Sequence, residues 1–154
     1  MLTIRDVLEK KGYETWSVEP GVTVYKALEL MAENDIGAVM VLDHGKLLGI
    51  FSERDYARKV ILYGKSSKDT RVGDLMSSPV ITVGPNTSIN ECLVLMTANH
   101  IRHAPVVEYG RVIGMVTVGD IVSAVIATRE MTIRDLENYI TGKDFEYRPM
   151  YLGG

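Results

Sequence analysis

Cysteine is almost missing from the 154 residues. Cys92 stands alone, so no intramolecular disulfide framework can form, and the chain suits a reducing, cytoplasmic setting. Long apolar runs are missing as well. The strongest, residues 36–42, has seven members and contains Gly37, far short of the roughly 18 that a membrane span needs. The first eleven residues, MLTIRDVLEKK, carry no apolar signal core and no small-residue cleavage site, so no secretory leader is expected. There is no basic excess. The formal net charge is −3 with both signs mixed, which argues against a nucleic-acid partner but leaves room for a local basic pocket. Three histidines, His44, His100 and His103, and the lone cysteine show no zinc spacing, so no metal is expected. His44 falls in a turn, and Cys92 falls on an apolar helix face as a core residue. No G-x-S-x-G elbow occurs. Gly64-Lys65-Ser66 echoes the end of a phosphate-binding P-loop, but the glycine required five residues earlier is Lys59.

What remains is ordinary for a globular protein, at 46% hydrophobic and 24% charged residues. A chain of this size buries roughly 70% of its unfolded surface without a staple. Its main feature is an internal repeat. An offset of 65 residues aligns positions 22–61 with 87–126 without a gap and gives 11 identities in 40. Leu28, Met31, Asn34, Ile36, Gly45, Gly49 and Asp55 match Leu93, Met96, Asn99, Ile101, Gly110, Gly114 and Asp120. Upstream, Val18 and Pro20 match Val83 and Pro85.

Both copies read alike. An extended segment (14–18; 80–83) ends at a proline turn. A helix follows, with apolar residues at Val24, Ala27, Leu28 and Met31, and at Ile89, Cys92, Leu93 and Met96, on one face. Thr23 and Ser88 stand where N-caps belong. Two apolar runs (38–42 and 47–51; 104–107 and 112–116) are joined through Gly45 and Gly110, the pattern of a β-hairpin. A second helix closes each unit. The expected fold is α/β (α+β): tandem pseudo-symmetric β-α-β-β-α repeats packed sheet to sheet, with helices outside. The units divide as residues 1–70, with the N-terminal segment and the polar linker 63–71; 71–130; and 131–154, a helix extension and tail. Ile133, Leu136 and Ile140 continue the last helix, Gly142 stops it, and 143–154 read as a loose tail.

The two strand-to-helix corners, GIFSERD and GMVTVGD, each place a hydroxyl and an aspartate three residues apart. One reading is structural. Ser52 and Thr117 are N-caps, and Asp55 and Asp120 complete capping boxes. The other reading is functional. A helix N-terminus with a hydroxyl attracts phosphate, and a carboxylate can accept a ribose diol. The two readings are compatible. The second repeat adds Arg102 and His103 before Ala104 and Pro105, at the entry to a buried strand, where the first repeat has only Gly37 and Ala38.

The corners, the repeat, the lead-in DLMSSPVITV and the entry IRHAPVV resemble the tandem cystathionine-β-synthase (CBS) domain pair, or Bateman module, over about residues 1–130. The chain is similar to small stand-alone bacterial proteins of this kind. The resemblance implies a regulatory, energy-sensing type of module with no catalysis of its own. It implies binding of AMP, ATP, NAD or another adenosine compound in the clefts between repeats. Asp55 and Asp120 would hold ribose; Ser52, Thr117, Arg102 and His103 would lie at phosphate, joined by Arg54 and by a loop carrying Lys68. Ile36, Ile81 and Met115 would line the base. A homodimer through helix faces is expected, with Ile121, Val122, Val125 and Ile126 as an apolar surface, along with a regulated protein partner. Two rivals stand beside this reading. One is an interaction module with empty sites. The other is a nucleotide-acting enzyme with Asp55 or Asp120 as base, for which no second catalytic group is at hand.

Overall fold

The computed structural model describes residues 1–141. The predicted glycine stop and tail lie outside the described residues. In chain order the elements are α1 (Ile4–Lys11), β1 (Ser17–Val18), α2 (Val24–Asn34), β2 (Ala38–Asp43), β3 (Lys46–Ser52) and α3 (Glu53–Asp55), which runs into a π-helical turn (Tyr56–Ile61). Then follow α4 (Val72–Leu75), α5 (Ile89–Ala98), β4 (His103–Glu108), β5 (Arg111–Thr117) and the long α6 (Val118–Thr141). The mixed α+β tandem architecture is as expected from the repeat.

Local chemistry accounts for the starts and turns. Thr23 Oγ1 accepts from the Lys26 amide at 3.2 Å, and Ser88 Oγ accepts from the Glu91 amide at 3.1 Å, so both predicted caps are in place. His44 (φ 50°) with Gly45 (φ 80°), and Tyr109 (φ 51°) with Gly110 (φ 75°), make the two left-handed hairpin turns. His44 is exposed, with Nδ1 2.8 Å from Asp43.

The leading strand differs between repeats. β1 pairs in parallel with β2 through Ser17–Met40 and Val18–Val41. Its equivalent, predicted over 80–83, shrinks to a single bridge between Val83 and Val106. The Met40 amide donates to Trp16 O at 3.0 Å. The equivalent of Met40 is Pro105, which has no N–H to donate, so the second strand cannot extend upstream.

The apolar core is in two parts. The first repeat gathers Val24, Ala27, Met31, Val39, Val41, Phe51 and Val60, together with Val72 of α4. The second gathers Ile89, Cys92, Met96, Ala104, Val106, Val116 and Ile121, together with Ile4, Val7 and Leu8 of α1. The segments preceding each repeat are thus exchanged: α1 packs into the second repeat and α4 into the first. Thr3 bridges to Ser88 and Thr23 to Arg71 in the same crossed sense. A boundary at residue 70 in sequence therefore separates segments that lace the two units together.

The exchange explains two of the matched glycines. A Cβ on Gly49 would sit 2.5 Å from Met76 Sδ and 2.9 Å from Ser77 O. A Cβ on Gly114 would sit 2.8 Å from Leu8 Cδ2. Each glycine lets the crossed segment lie directly on a strand. The opposite face of β2, Ala38 and Met40, is also buried. Just before β2, a Cβ added at Gly37 would lie 3.5 Å from the His103 ring of the second repeat, so the two repeats approach closely there.

Candidate functional site

Both strand-to-helix corners form the predicted capping boxes. Ser52 N donates to Asp55 Oδ2 at 2.9 Å, and Asp55 N donates to Ser52 Oγ at 3.2 Å. Thr117 N donates to Asp120 Oδ2 at 2.8 Å, and Asp120 N to Thr117 Oγ1 at 3.2 Å. A further amide at each corner is spent on the strand entry: Glu53 N reaches Gly37 O and Val118 N reaches Arg102 O, both at 3.0 Å. These positions are related by the 65-residue offset. Two amides of each first turn are therefore satisfied within the protein, which leaves an anion at either corner fewer backbone donors and gives side chains the larger share.

A cleft of about 530 Å³ opens between the repeats, within the range of ligand sites. It brings Ser52, Arg54, Asp55, Arg58 and Lys59 of the first repeat against His100, Ile101, Arg102 and His103 of the second. Arg54 crosses between repeats, donating from Nη1 to His100 O at 3.1 Å. Arg58 and Arg102 are exposed and form no ion pair among the described residues. Each guanidinium is a planar fork suited to two phosphate oxygens.

The acids are already engaged. Asp55, only 8% exposed, also receives Ser52 Oγ at 3.0 Å, Ser77 Oγ at 2.9 Å and Lys59 Nζ at 3.1 Å. Lys59 donates as well to Leu75 O at 3.0 Å and Ser77 Oγ at 3.3 Å. Asp120 is held by Lys11 of α1 at 2.6 Å, and Lys11 also donates to Met115 O at 2.9 Å. Burial alone would raise the Asp120 carboxyl. The Lys11 ammonium and the Thr117 amide outweigh it and hold the group below the usual carboxylate value. His103 is pushed below the ordinary histidine range, first by burial and then by Lys11 and Arg102. Burial pushes the Cys92 thiol up to about 11, which fits a core residue and not a nucleophile.

The remaining predicted residues fall elsewhere. Met115 lies at the second corner through its carbonyl. Ala104 is fully buried in the second core, Pro105 is buried beside it in β4, and Ile36 packs against the first core. None of these three lines the cleft, nor do Ile81, Met115, Thr117 or Asp120; Asp120 lines a separate pocket of about 360 Å³ with Lys11. The Lys68 ammonium stands 5.1 Å from the Tyr25 ring centroid, also outside it. A wider opening of about 1050 Å³ lies between the hairpin tips and contains none of the predicted site residues. Lys11 and Ser77 complete the corners without having been singled out, and Lys59, which follows Arg54 and Arg58 in the sequence, does so as a partner of Asp55. Lys59 is legible as an i,i+4 partner of Asp55. Ser77 and Lys11 reach their acids from 22 and 109 residues away, which spacing does not reveal. Among the described residues, no group of three His, Cys, Asp or Glu could hold a metal, and no helix is long and apolar enough to cross a membrane.

The CBS domain family model matches the chain twice, at residues 5–61 and 72–127. CBS domain-containing protein CBSX3, mitochondrial, of Arabidopsis thaliana is 41% identical over 150 residues, spanning 91% of this chain and 72% of that protein. A solved putative signal-transduction protein with CBS domains from Burkholderia ambifaria superposes with a TM-score of 0.79 at 43% identity, covering 82% of this chain and 95% of the other. The CBS domain pair of protein MJ0100, solved in complex with 5′-methylthioadenosine and S-adenosyl-L-methionine, has a TM-score of 0.71 at 24% identity, covering 84% and 98%.

Proposed function

The chain belongs to the CBS-domain family as a tandem pair, a regulatory module, and we propose that it binds an adenine nucleotide (AMP, ATP or NAD) between its repeats without catalysis of its own. The observation that carries this reading is the cation content of the cleft. Arg54, Arg58 and Arg102 converge from both repeats on one space of nucleotide size, with the His103 ring and Glu53 also on its wall, and none of the three arginines has a carboxylate partner among the described residues. Phosphate would sit among these groups. Ribose would sit at Asp120, the less enclosed of the two acids, which lines a smaller pocket of about 360 Å³ with Lys11 of α1 and not the cleft itself. The MJ0100 pair, which shares the fold, supports adenosyl compounds as the ligand class. No metal is needed for this binding, and a cytoplasmic location suits it.

The module would act as a homodimer on a protein partner. Of the four residues proposed as its surface, Ile121 is fully buried and Val125 packs on the second core. Val122 and Ile126, 40% and 52% exposed, carry the outward face of α6. An interaction module with empty sites is the alternative, favoured by the prior engagement of both acids. A thermal-shift panel with AMP, ATP, NAD and S-adenosylmethionine separates the two. A dose-dependent rise in melting temperature for at least one compound is expected, and no shift at millimolar ligand leaves the interaction module standing.

A further inference from the structure

The two corners hold their acids by different means. At the first, Asp55 receives four donors on two oxygens, which fills the acceptor capacity of a carboxylate. Three come from the first repeat, and the fourth, Ser77, comes from the segment just after α4. At the second, Asp120 Oδ2 receives Thr117 N and Lys11 Nζ, while Oδ1 receives no hydrogen bond among the described residues. The strand edge differs in the same way. Ile50 O is tied to the backbone of Ser77 at 2.8 Å. Its counterpart, Met115 O, is tied outside the strand ladder only to the Lys11 ammonium, at 2.9 Å, among the described residues. The second corner is thus closed by one flexible side chain, 32% exposed, on the last residue of α1.

A nucleoside brings hydroxyl and amine donors to the same acceptors that Lys11 uses. We infer that Lys11 is a resident competitor of the ligand: binding at the second corner takes Asp120 and the Met115 carbonyl from it and frees the last turn of α1. This rests on the nucleotide-binding reading above. The rest of α1 stays in place, because Ile4, Val7 and Leu8 are buried in the second core. The helix ends at Gly12, whose amide donates to Leu8 O at 2.7 Å with φ 107°. The freed part is therefore one turn at the helix C-terminus, and occupancy of the second corner, in the pocket that Asp120 and Lys11 line together, becomes a change on the outside of the module.

Calorimetry of the full chain with adenosine tests this directly. Adenosine carries the donors but no phosphate, so Lys11 cannot assist it by attracting an anion. Lys11→Met keeps the length of the side chain and removes the charge. It should bind adenosine about fivefold more tightly than wild type, the weight of a partly exposed ion pair, or gain measurable binding where wild type has none. Equal or weaker adenosine binding by Lys11→Met, in a chain whose wild type binds AMP, overturns the inference while leaving the proposed function intact. Absence of binding by both proteins to AMP and adenosine at millimolar concentration fails both. Should Lys11→Met not fold, hydrogen exchange on the wild type decides. Saturating AMP should speed exchange at the Gly12 amide, and unchanged or slower exchange contradicts the release.

Discussion

Replacing Asp55 with asparagine keeps the side-chain volume but removes the charge and turns one acceptor oxygen into a donor. In the wild type one oxygen serves the Ser52 amide and hydroxyl at 2.9 and 3.0 Å, and the other serves Ser77 Oγ and Lys59 Nζ at 2.9 and 3.1 Å. Whichever way the new amide turns, one of these pairs faces an NH₂ group. Loss of the capping side costs about 0.5–2 kcal/mol. Leaving part-buried donors without their charged acceptor costs about 1–3 kcal/mol. Lys59 is 37% exposed, so the ion-pair share is at most about 1 kcal/mol. The expected total is about 2–4 kcal/mol, and at about 2–4 °C per kcal/mol for a chain of this length the melting temperature should fall by roughly 5–15 °C. Urea unfolding gives the energy. A double-mutant cycle with Ser77→Ala should show coupling of about 1 kcal/mol, because the two residues tie the first corner to the inter-repeat segment. A loss below about 1 kcal/mol, or no coupling, would refute the reasoning that Asp55 fastens that segment.

Gly49→Ala and Gly114→Ala should each destabilise by about 1–3 kcal/mol in the same unfolding assay; Gly49 should cost more, because its Cβ meets the Ser77 backbone as well as a side chain. Unfolding stability should also fall in mild acid. The folded-state pKa of His103 lies below its ordinary value of 6.5, so its contribution is complete above about 6.5 and is lost as pH falls through the folded value. His103→Asn should flatten that part of the profile, and an unchanged slope would show that other groups carry it. Phosphate beside the ring reverses the sign for binding: nucleotide affinity should rise as pH falls from 7.5 to 6, with proton uptake measurable by calorimetry in two buffers.

Much of this architecture is legible in the sequence. The 65-residue offset yields the hairpins, the helices and both capping boxes, because each depends on contacts within a few residues. Pro105 is visible too, yet its effect on the leading strand follows only once Met40 is seen donating to Trp16. The crossing of α1 and α4 is not legible. Ile4, Val7 and Leu8 make an amphipathic turn that would suit either repeat. For the same reason the site was read in part. The first corner and the strand entry with Arg102 and His103 share one cleft, whereas Thr117 and Asp120 lie outside it, and the cations that hold the acids come from the exchanged segment and the far end of a turn. Ile81 and Lys68 show the opposite error: proximity in sequence to a corner does not bring a side chain into the cleft.

Binding of an adenine nucleotide in the cleft should depend on cations of both repeats. Isothermal titration of AMP into wild type, Arg102→Ala and Asp120→Ala tests it most directly. We predict micromolar affinity, worth about 8 kcal/mol, and at least a tenfold loss in each variant. No heat at millimolar AMP, or the same affinity in all three proteins, would contradict the account.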